Sequence, residues 1–387
     1  MIIRRIETFQ IAPRWLFVRV ETTPEQVGWG EAIFPKRVRA VRGAIADIAA
    51  NIVGSPAGAI EDLWQRVYRG GFFRRGPVLS TALAAVEQAL WDIKGRQLGI
   101  PVYEFFGGRV RQHVAAYVGI GGESAAELVA GAKARQQAGY RAVKLSPTGP
   151  LHYLDDYARI ASVVENLDGL RSQMGPNFGI ALDFHGRVHR AMAHILLDAL
   201  APYHPLWVEE PLLPEHGDLL ADLARRTPIP LAAGERLLDR WDFKTVFEQR
   251  ALAIAQPDVS MTGIHELVKI ARMAEAYDVT VAPHCPNGPI SLAATLQAAA
   301  AVPNLVWQEY NPNLSLASRR AADPSCQNAY LKHPGVIAPT AEGNLVIPSG
   351  AGLGIEVDEA QVRAADEKGW EVLDMAWRNT DGSLAEW

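Results

Sequence analysis

The chain has 387 residues, of which 49% are hydrophobic and 21% charged, a composition typical of a soluble globular protein with a large core and two or three domains. Its net charge of −5 without a basic block argues against a nucleic-acid partner. No apolar run reaches the roughly 18 residues that span a membrane, and residues 1–10 contain no extended apolar segment, so we expect no signal peptide. Two cysteines, Cys285 and Cys326, are too few for a disulfide framework, and a cytoplasmic location is the simplest expectation.

The first predicted unit is an α+β domain over residues 1–112. Residues 1–33 indicate a three-stranded meander, because strand-like runs are separated by the turn sequences Ala-Pro-Arg and Thr-Pro-Glu. Apolar spacings of three and four residues then predict helices over 37–53, 60–68 and 79–97. The glycine-rich, doubly basic loop 70–77 is either a flap that closes over an anion or an ordinary exposed loop.

Strands and helices alternate over residues 113–345, and eight strands are predicted to end near residues 120, 147, 185, 210, 235, 258, 285 and 309. Parallel strands joined by helices all point the same way, so their C-terminal ends gather at one rim. Polar residues at this point on successive strands are typical of a barrel active site. The remaining segment, 346–387, is predicted to return to the N-terminal domain.

Three carboxylates follow consecutive predicted strands: Asp183, Glu209 and Glu235. Converging carboxylates raise one another's pKa, and a divalent cation relieves that repulsion. Three oxygen ligands without cysteine favour a hard ion such as Mg²⁺. Each carboxylate alone could also be a helix N-cap or an ion-pair partner, and the spacing does not decide between Glu209 and its neighbour Glu210.

A second group of residues could move protons. Asp258 and His284 follow adjacent strands, and a carboxylate beside an imidazole orients the ring and supports its cationic form, which makes a competent general base. His185 lies two residues beyond Asp183, on the same predicted face, where it could be a second acid or base. A single histidine at a strand end is more often structural, and the carboxylate one strand away favours a functional interpretation.

Lys144 and Glu309 end the second and eighth predicted strands. Lys144 could neutralise a substrate carboxylate, or it could lie along the surface with its ammonium in solvent. Removal of a proton α to a carboxylate places charge on its oxygens, where a metal and Lys144 would stabilise it. A second histidine could then protonate a leaving β-hydroxyl. The residues therefore predict dehydration of a hydroxy acid to a 2-keto-3-deoxy acid.

Long motifs run through nearly the whole chain. They are RWLFVRVET, VGWGEA, GGFFRRGP, ALDFHGRV, WVEEPLLPE, IPLAAGERLLDRWDFK, QPDVSMTG, KIARMAEAYDVTVAPHCPNGPISLAA, WQEY and SLAEW. These motifs resemble the enolase superfamily, in its mandelate racemase-like subgroup, and within it the galactonate dehydratases. The resemblance implies a modified TIM barrel, (β/α)7β, with an N-terminal α+β capping domain that the C-terminal segment completes. It also implies a homo-oligomer that acts on a small-molecule sugar acid.

The resemblance further implies a role for each rim residue, and it selects Glu209 over Glu210. The implied roles are Mg²⁺ ligation by Asp183, Glu209 and Glu235, proton abstraction at C2 by His284 with Asp258, expulsion of the 3-hydroxyl by His185, and binding of the carboxylate and enediolate oxygens by Lys144 and Glu309. The implied substrate is D-galactonate or a close relative. Trp15 and Arg75 could reach it from the cap, but no motif fixes their roles.

Three positions depart from the pattern of this family. Ser146 stands where an asparagine is expected, Asn287 stands where an apolar residue is expected, and the chain after Glu309 reads YNPNLSLASRR. All three should lie near the distal end of the substrate, so the sugar acid stays open. Two alternatives remain: an epimerase or lactone cycloisomerase on the same scaffold, and a binding protein with a relic site, which the complete acid–base set disfavours.

Overall fold

The computed structural model describes residues 1–34, 36–149, 151–312, 329–368, 377–379 and 381–386. Most of the divergent segment after Glu309, from residue 313 onwards, and Cys326 lie outside these ranges. No helix within these ranges is long and apolar enough to cross a membrane.

The N-terminal unit is an antiparallel sheet covered by helices, as predicted. Its strands are β1 (Ile2–Ile11), β2 (Trp15–Thr23) and β3 (Gln26–Ala32), in that order across the sheet, and its helices are α1 (Val38–Ile52), α2 (Ile60–Arg69) and α3 (Pro77–Leu98). The motif VGWG lets α3 approach β3 closely. A Cβ atom on Gly30 would lie 1.8 Å from the carbonyl oxygen of Ala85, and one on Gly28 would lie 2.2 Å from that of Ala89.

The second unit is a parallel barrel. Its strands are β4 (His113–Gly119), β5 (Ala142–Leu145), β6 (Gly179–Asp183), β7 (Trp207–Glu209), β8 (Leu231–Ala233), β9 (Ile254–Ala255), β10 (Thr280–Val281) and β11 (Trp307–Tyr310). Each strand from β4 to β9 pairs with the next in parallel, and β11 pairs with β4. A parallel bridge between Val281 and Leu305 connects the remaining edges, so the barrel is nearly closed.

Helices connect the barrel strands in chain order. They are α4 (Ala125–Gln137), α5 (Tyr157–Met174), α6 (Arg190–Leu200), α7 (Leu220–Arg226), α8 (Arg240–Glu248), α9 (Val259–Thr262), α10 (Ile264–Ala276) and α11 (Pro289–Ala301). The short α9 and the longer α10 share the connection between β9 and β10, so seven connections join eight strands. The prediction of a modified TIM barrel, (β/α)7β, with an α+β cap is confirmed.

The C-terminal part of the chain contacts both units. β12 (Asn344–Val346) pairs antiparallel with β4. α12 (Glu359–Lys368) packs on β1, where Asp366 accepts a hydrogen bond from the backbone N–H of Gln10 at 2.6 Å. Further along, the ring centroid of Trp377 lies 4.9 Å from the guanidinium carbon of Arg187. Arg187 is in the loop after β6. The division of the chain at residues 112 and 345 stays a prediction.

Two buried carboxylates of the cap join it to the barrel. Glu31 on β3 accepts hydrogen bonds from the backbone N–H groups of Gly288, Ile290 and Ser291, at 2.5, 3.1 and 3.0 Å. Glu87 on α3 accepts them from Ile264 and His265, at 2.8 and 2.9 Å, and from the indole of Trp91. Burial raises the pKa of both carboxyl groups to about 7.

A raised carboxyl pKa predicts a specific dependence of stability on pH. Because the pKa of Glu87 is higher in the folded chain than in the unfolded one, its contribution to stability is fully present below about pH 4.5 and is lost as pH rises through about 7. Glu87→Gln removes this group. We expect the free energy of unfolding of the variant, measured against the parent in urea, to gain about 2 kcal/mol between pH 5 and pH 8. A difference that does not change with pH would contradict the raised pKa.

Candidate active site

Strand alternation brings three of the predicted residues to the inside of the barrel. A layer of buried interior side chains includes Ala142, Ala181 and Trp207. Lys144, Asp183 and Glu209 each follow one of these by two residues, so they face the same side one step nearer the C-terminal rim. Parallel pairing aligns Asp183 with Glu209 on neighbouring strands. The side chains therefore converge where the sequence predicted a site.

The environment of Glu209 differs from that of Glu210. Glu209 is fully buried, and its Oε2 accepts hydrogen bonds from the indole of Trp207 at 3.1 Å and the amide of Gln256 at 2.7 Å. Glu210 has a positive φ of 43° and turns away to accept from the backbone N–H of Gly234 and to pair with Arg236. Only Glu209 thus faces the interior with the other rim carboxylates.

Lys144 is the cation at the centre of the site. Its Nζ lies 2.6 Å from Glu209 Oε1, 2.9 Å from Glu309 Oε1 and 3.4 Å from Asp183 Oδ2. Burial alone would lower the pKa of Lys144, but these three carboxylates outweigh it and hold that pKa well above its ordinary value. The lysine is therefore a charged interior residue and not one that extends along the surface.

The carboxylates around Lys144 differ in pKa. Burial and the neighbouring charges of Asp183, Glu309 and Glu235 raise the pKa of Glu209 to about 8. Burial also acts to raise the pKa of Asp183, but Lys144 and His185 outweigh it and hold that pKa below its ordinary value. One ammonium group thus balances only part of the negative charge gathered at this rim.

Asp258 and His284 form the predicted dyad, although neither lies on a strand. β9 ends at Ala255 and β10 at Val281, so both residues are in the following loops. His284 Nδ1 lies 2.7 Å from Asp258 Oδ2, and His284 Nε2 lies 3.3 Å from Glu235 Oε2. Burial lowers the pKa of His284, but Glu235, Glu309 and Asp258 together raise it to about 10.

The two carboxylate oxygens of Asp258 bind different partners. Its Oδ1 accepts a hydrogen bond from the backbone N–H of Ser260 at 2.7 Å, which makes it the N-cap of α9, while its Oδ2 faces His284. Asn287 donates to the same Oδ1 at 2.8 Å and is buried. The amide nitrogen of Asn287 therefore binds the dyad carboxylate, and its place near the distal end of the substrate stays a prediction.

His185 meets Asp183 by a different route from the one predicted. β6 ends at Asp183, and His185 adopts a positive φ of 59° in the turn that follows. Its Nδ1 lies 3.2 Å from Asp183 Oδ2, and its backbone N–H donates to Asp183 Oδ1 at 2.7 Å. Burial lowers the pKa of His185, but the hydrogen bond and charge of Asp183 produce a net increase.

Glu235 and Glu309 complete the rim. Glu235 lies in the turn after β8, and burial raises its pKa. Glu309 on β11 accepts a hydrogen bond from the backbone N–H of Cys285 at 2.8 Å through Oε2. Although burial opposes it, Lys144 lowers the pKa of Glu309.

Trp15 and Arg75, which could reach the substrate from the cap, have partners within the protein. Trp15 is fully buried and stacks on Phe17 with ring centroids 6.0 Å apart. Arg75 pairs with Asp239 at 2.8 Å and with Asp242, which attaches the loop 70–77 to the barrel. Ser146, beyond the end of β5, is exposed.

Sequence reasoning missed two residues at the site. Gln256 binds Glu209 from the loop after β9, and its position directly before Pro257 and Asp258 was a usable signal. Arg14, in the turn between β1 and β2, donates to the carbonyl oxygen of Pro286 at 2.7 Å. No pattern in the sequence links Arg14 to that loop, because the contact depends on how the cap sits on the barrel.

The chemistry of Asp183, Glu209 and Glu235 fits a hard divalent cation. Asp183 and Glu209 end β6 and β7, Glu235 follows β8, and carboxylate oxygens are the ligands that such an ion prefers. Burial, together with the neighbouring carboxylates, raises the pKa of Glu209 and Glu235. Within the described ranges no three His, Cys, Asp or Glu side chains are close enough together to hold a metal ion as they are placed. As they are placed, Asp183 and Glu209 contact Lys144, and Glu235 pairs with His284.

Two protein families match most of the chain. "Mandelate racemase / muconate lactonizing enzyme, N-terminal domain" matches residues 6–107, and "Enolase C-terminal domain-like" matches residues 127–361. The D-galactonate dehydratases of Ralstonia nicotianae and Cronobacter sakazakii are each 42% identical to this chain, with 100% of both chains covered.

Solved structures agree with this result. An enolase from Agrobacterium radiobacter, bound to Na and L-malate, has a TM-score of 0.90 at 27% identity and covers 100% of each chain. A mandelate racemase/muconate lactonizing enzyme-like protein from Roseovarius sp. has a TM-score of 0.89 at 31% identity, covering 98% of this chain and 99% of that one. On these matches the chain belongs to the enolase superfamily, in the mandelate racemase and muconate lactonizing enzyme group.

Proposed function

We propose that this protein is a Mg²⁺-dependent sugar-acid dehydratase, a hydro-lyase that converts D-galactonate or a close relative to the 2-keto-3-deoxy acid. The observation that carries the proposal is the position of two histidines beside the row of rim carboxylates. His185 lies against Asp183, His284 lies against Glu235, and Lys144 stands among the carboxylates. The identity to D-galactonate dehydratases supports the substrate class. We also propose a homo-oligomer, as the family resemblance implies, and a cytoplasmic location, which the low cysteine count favours.

Asp183, Glu209 and Glu235 would hold the Mg²⁺ ion, which when bound supplies positive charge for the carboxylate oxygens of the substrate. Lys144 contributes a second positive charge from the chain itself. Its ammonium is fixed by Glu209 and Glu309, so little reorganisation is needed when charge develops beside it. Negative charge that moves onto the substrate's carboxylate after proton loss is thus stabilised by an ammonium already in place.

His284 is the proposed base at C2. Asp258 holds Nδ1, which leaves Nε2 on the side of Glu235 and the rim. A base must be neutral before it accepts a proton, and Glu235 is the largest of the charges that raise the pKa of His284. A cation held by Glu235 would offset the charge of this carboxylate and so lower the pKa of His284. Nε2 of His284 would then be neutral and able to take the C2 proton.

His185 is the proposed acid. Asp183 raises the pKa of its imidazole, which favours the protonated form. When the C3–O bond breaks, His185 gives its proton to the departing hydroxyl, and water leaves. The resulting enol loses the proton of its C2 hydroxyl and takes up a proton at C3, which gives the 2-keto-3-deoxy acid. One proton taken by His284 and one given by His185 balance the dehydration.

A substrate screen tests the proposal. Purified protein with Mg²⁺ would be incubated with a set of hexonates and pentonates, and the 2-keto acid product would be measured. We expect D-galactonate or a close stereoisomer to give the keto acid, and a chelator to abolish the reaction. An isomerised acid without keto acid would instead indicate the epimerase or cycloisomerase, and no turnover of any sugar acid would contradict the proposal.

Replacement of His185 separates the two proton transfers. In His185→Asn we expect dehydration to fall by about 10²- to 10⁴-fold, since the acid is lost. Exchange of the C2 proton with deuterium in heavy water should persist, because His284 and Asp258 remain, and NMR of the recovered substrate measures it. His194→Asn, a histidine on α6, is the matched control and should keep both activities. Loss of exchange together with dehydration in His185→Asn would refute this division of roles.

A further inference from the structure

The helices α10 and α11 begin without a capping side chain of their own. Their N-cap residues are Gly263 and Gly288, and the first N–H groups of any helix need acceptors from outside it. Glu87 and Glu31 supply those acceptors from the cap. Both helices are therefore capped by a residue from another part of the fold.

Gly263 and Gly288 leave room for these carboxylates because they have no side chain. A Cβ atom on Gly288 would lie 2.6 Å from Glu31 Oε1, and one on Gly263 would lie 2.6 Å from Glu87 Oε2. Each distance is shorter than a normal contact between such atoms. Glu31 and Glu87 thus form a matched pair: both are buried, both come from the cap, and both cap a barrel helix that begins after a glycine.

The two capped helices differ in what precedes them. The loop 284–288 leads from His284 into α11, and contacts with separate elements hold its successive residues. The side chains of His284 and Asn287 both bind Asp258. The N–H of Cys285 donates to Glu309, and the carbonyl of Pro286 accepts from Arg14. The N–H of Gly288 donates to Glu31.

The segment before α10 is held by its own helical bonds. There the carbonyl of Asp258 accepts from the N–H groups of Met261 and Thr262 at 3.0 and 2.9 Å, and α9 forms a turn. The position of Asp258 therefore depends little on Glu87. The loop that carries His284 depends on its outside partners, and Glu31 anchors the end at which it enters α11.

We infer that Glu31 is a positioning residue for the base, through which the cap fixes the loop that carries His284. This inference rests on the proposed function, in which His284 takes the C2 proton. A shift of about 1 Å in a group that takes part in proton transfer lowers the rate by as much as about a hundredfold. Release of Gly288, Ile290 and Ser291 from their shared carboxylate would permit such a shift four residues from His284.

The test compares Glu31→Gln with Glu87→Gln. Glutamine keeps the shape but replaces one acceptor oxygen with an N–H₂ group that faces backbone donors, so both variants should lose similar stability. Only Glu31→Gln should lower kcat for sugar-acid dehydration and the rate of C2 proton exchange, each by about tenfold or more, with little change in KM. Glu87→Gln should retain the kcat of the parent.

Equal kcat values for the two variants would overturn the inference, as would a change confined to KM, which would indicate a substrate contact. If Glu31→Gln fails to fold, Gly288→Ala takes its place, because its methyl group pushes against Glu31, and Glu87→Gln remains the control. A fall in kcat limited to Gly288→Ala supports the inference, and equal kcat values refute it. If the parent protein itself dehydrates no sugar acid, the proposed function is refuted. That result is seen in the parent alone, so it is distinct from any difference between the variants.

Discussion

Lys144 holds one positive charge within 3.4 Å of three carboxylates, and the arrangement of the barrel mouth depends on this contact. The contact exists because β5, β6, β7 and β11 each place a polar side chain one step above the buried interior layer. One ammonium cannot balance the carboxylates of Asp183, Glu209, Glu235 and Glu309, and burial together with these neighbouring charges raises the pKa of Glu209. The proposed Mg²⁺ would supply the missing charge where the reaction generates more negative charge.

The cap takes part in the site through backbone contacts more than through side chains that reach the substrate. Glu31 binds the start of α11, and Arg14 binds the loop that precedes it. Arg75, whose role no motif fixed, binds Asp239 and Asp242 on the barrel. The cap therefore binds the loop that carries the proposed base, His284, and the start of the helix that follows this loop.

The regular spacing of polar residues predicted eight strands whose C-terminal ends meet at one rim, with Lys144 and Asp183 among the rim residues. The family resemblance supplied the modified barrel with its cap and the choice of Glu209 over Glu210. Strand alternation from the buried Trp207 also distinguishes Glu209 from Glu210, although this becomes evident only once the interior layer is known. Loops could not be predicted in the same way. The left-handed turn at His185 and the amide of Asn287 on Asp258 depend on loop conformation, which no periodic pattern encodes.

Calorimetric titration of Mg²⁺ into the parent, Glu209→Gln and Glu210→Gln tests the central claim most directly. The two glutamates are neighbours in sequence but only Glu209 faces Lys144 and the interior. We expect the parent and Glu210→Gln to bind about one Mg²⁺ ion per chain, and Glu209→Gln to bind Mg²⁺ at least about a hundredfold more weakly. Absence of Mg²⁺ binding by the parent, or equal binding by Glu209→Gln, would contradict this claim.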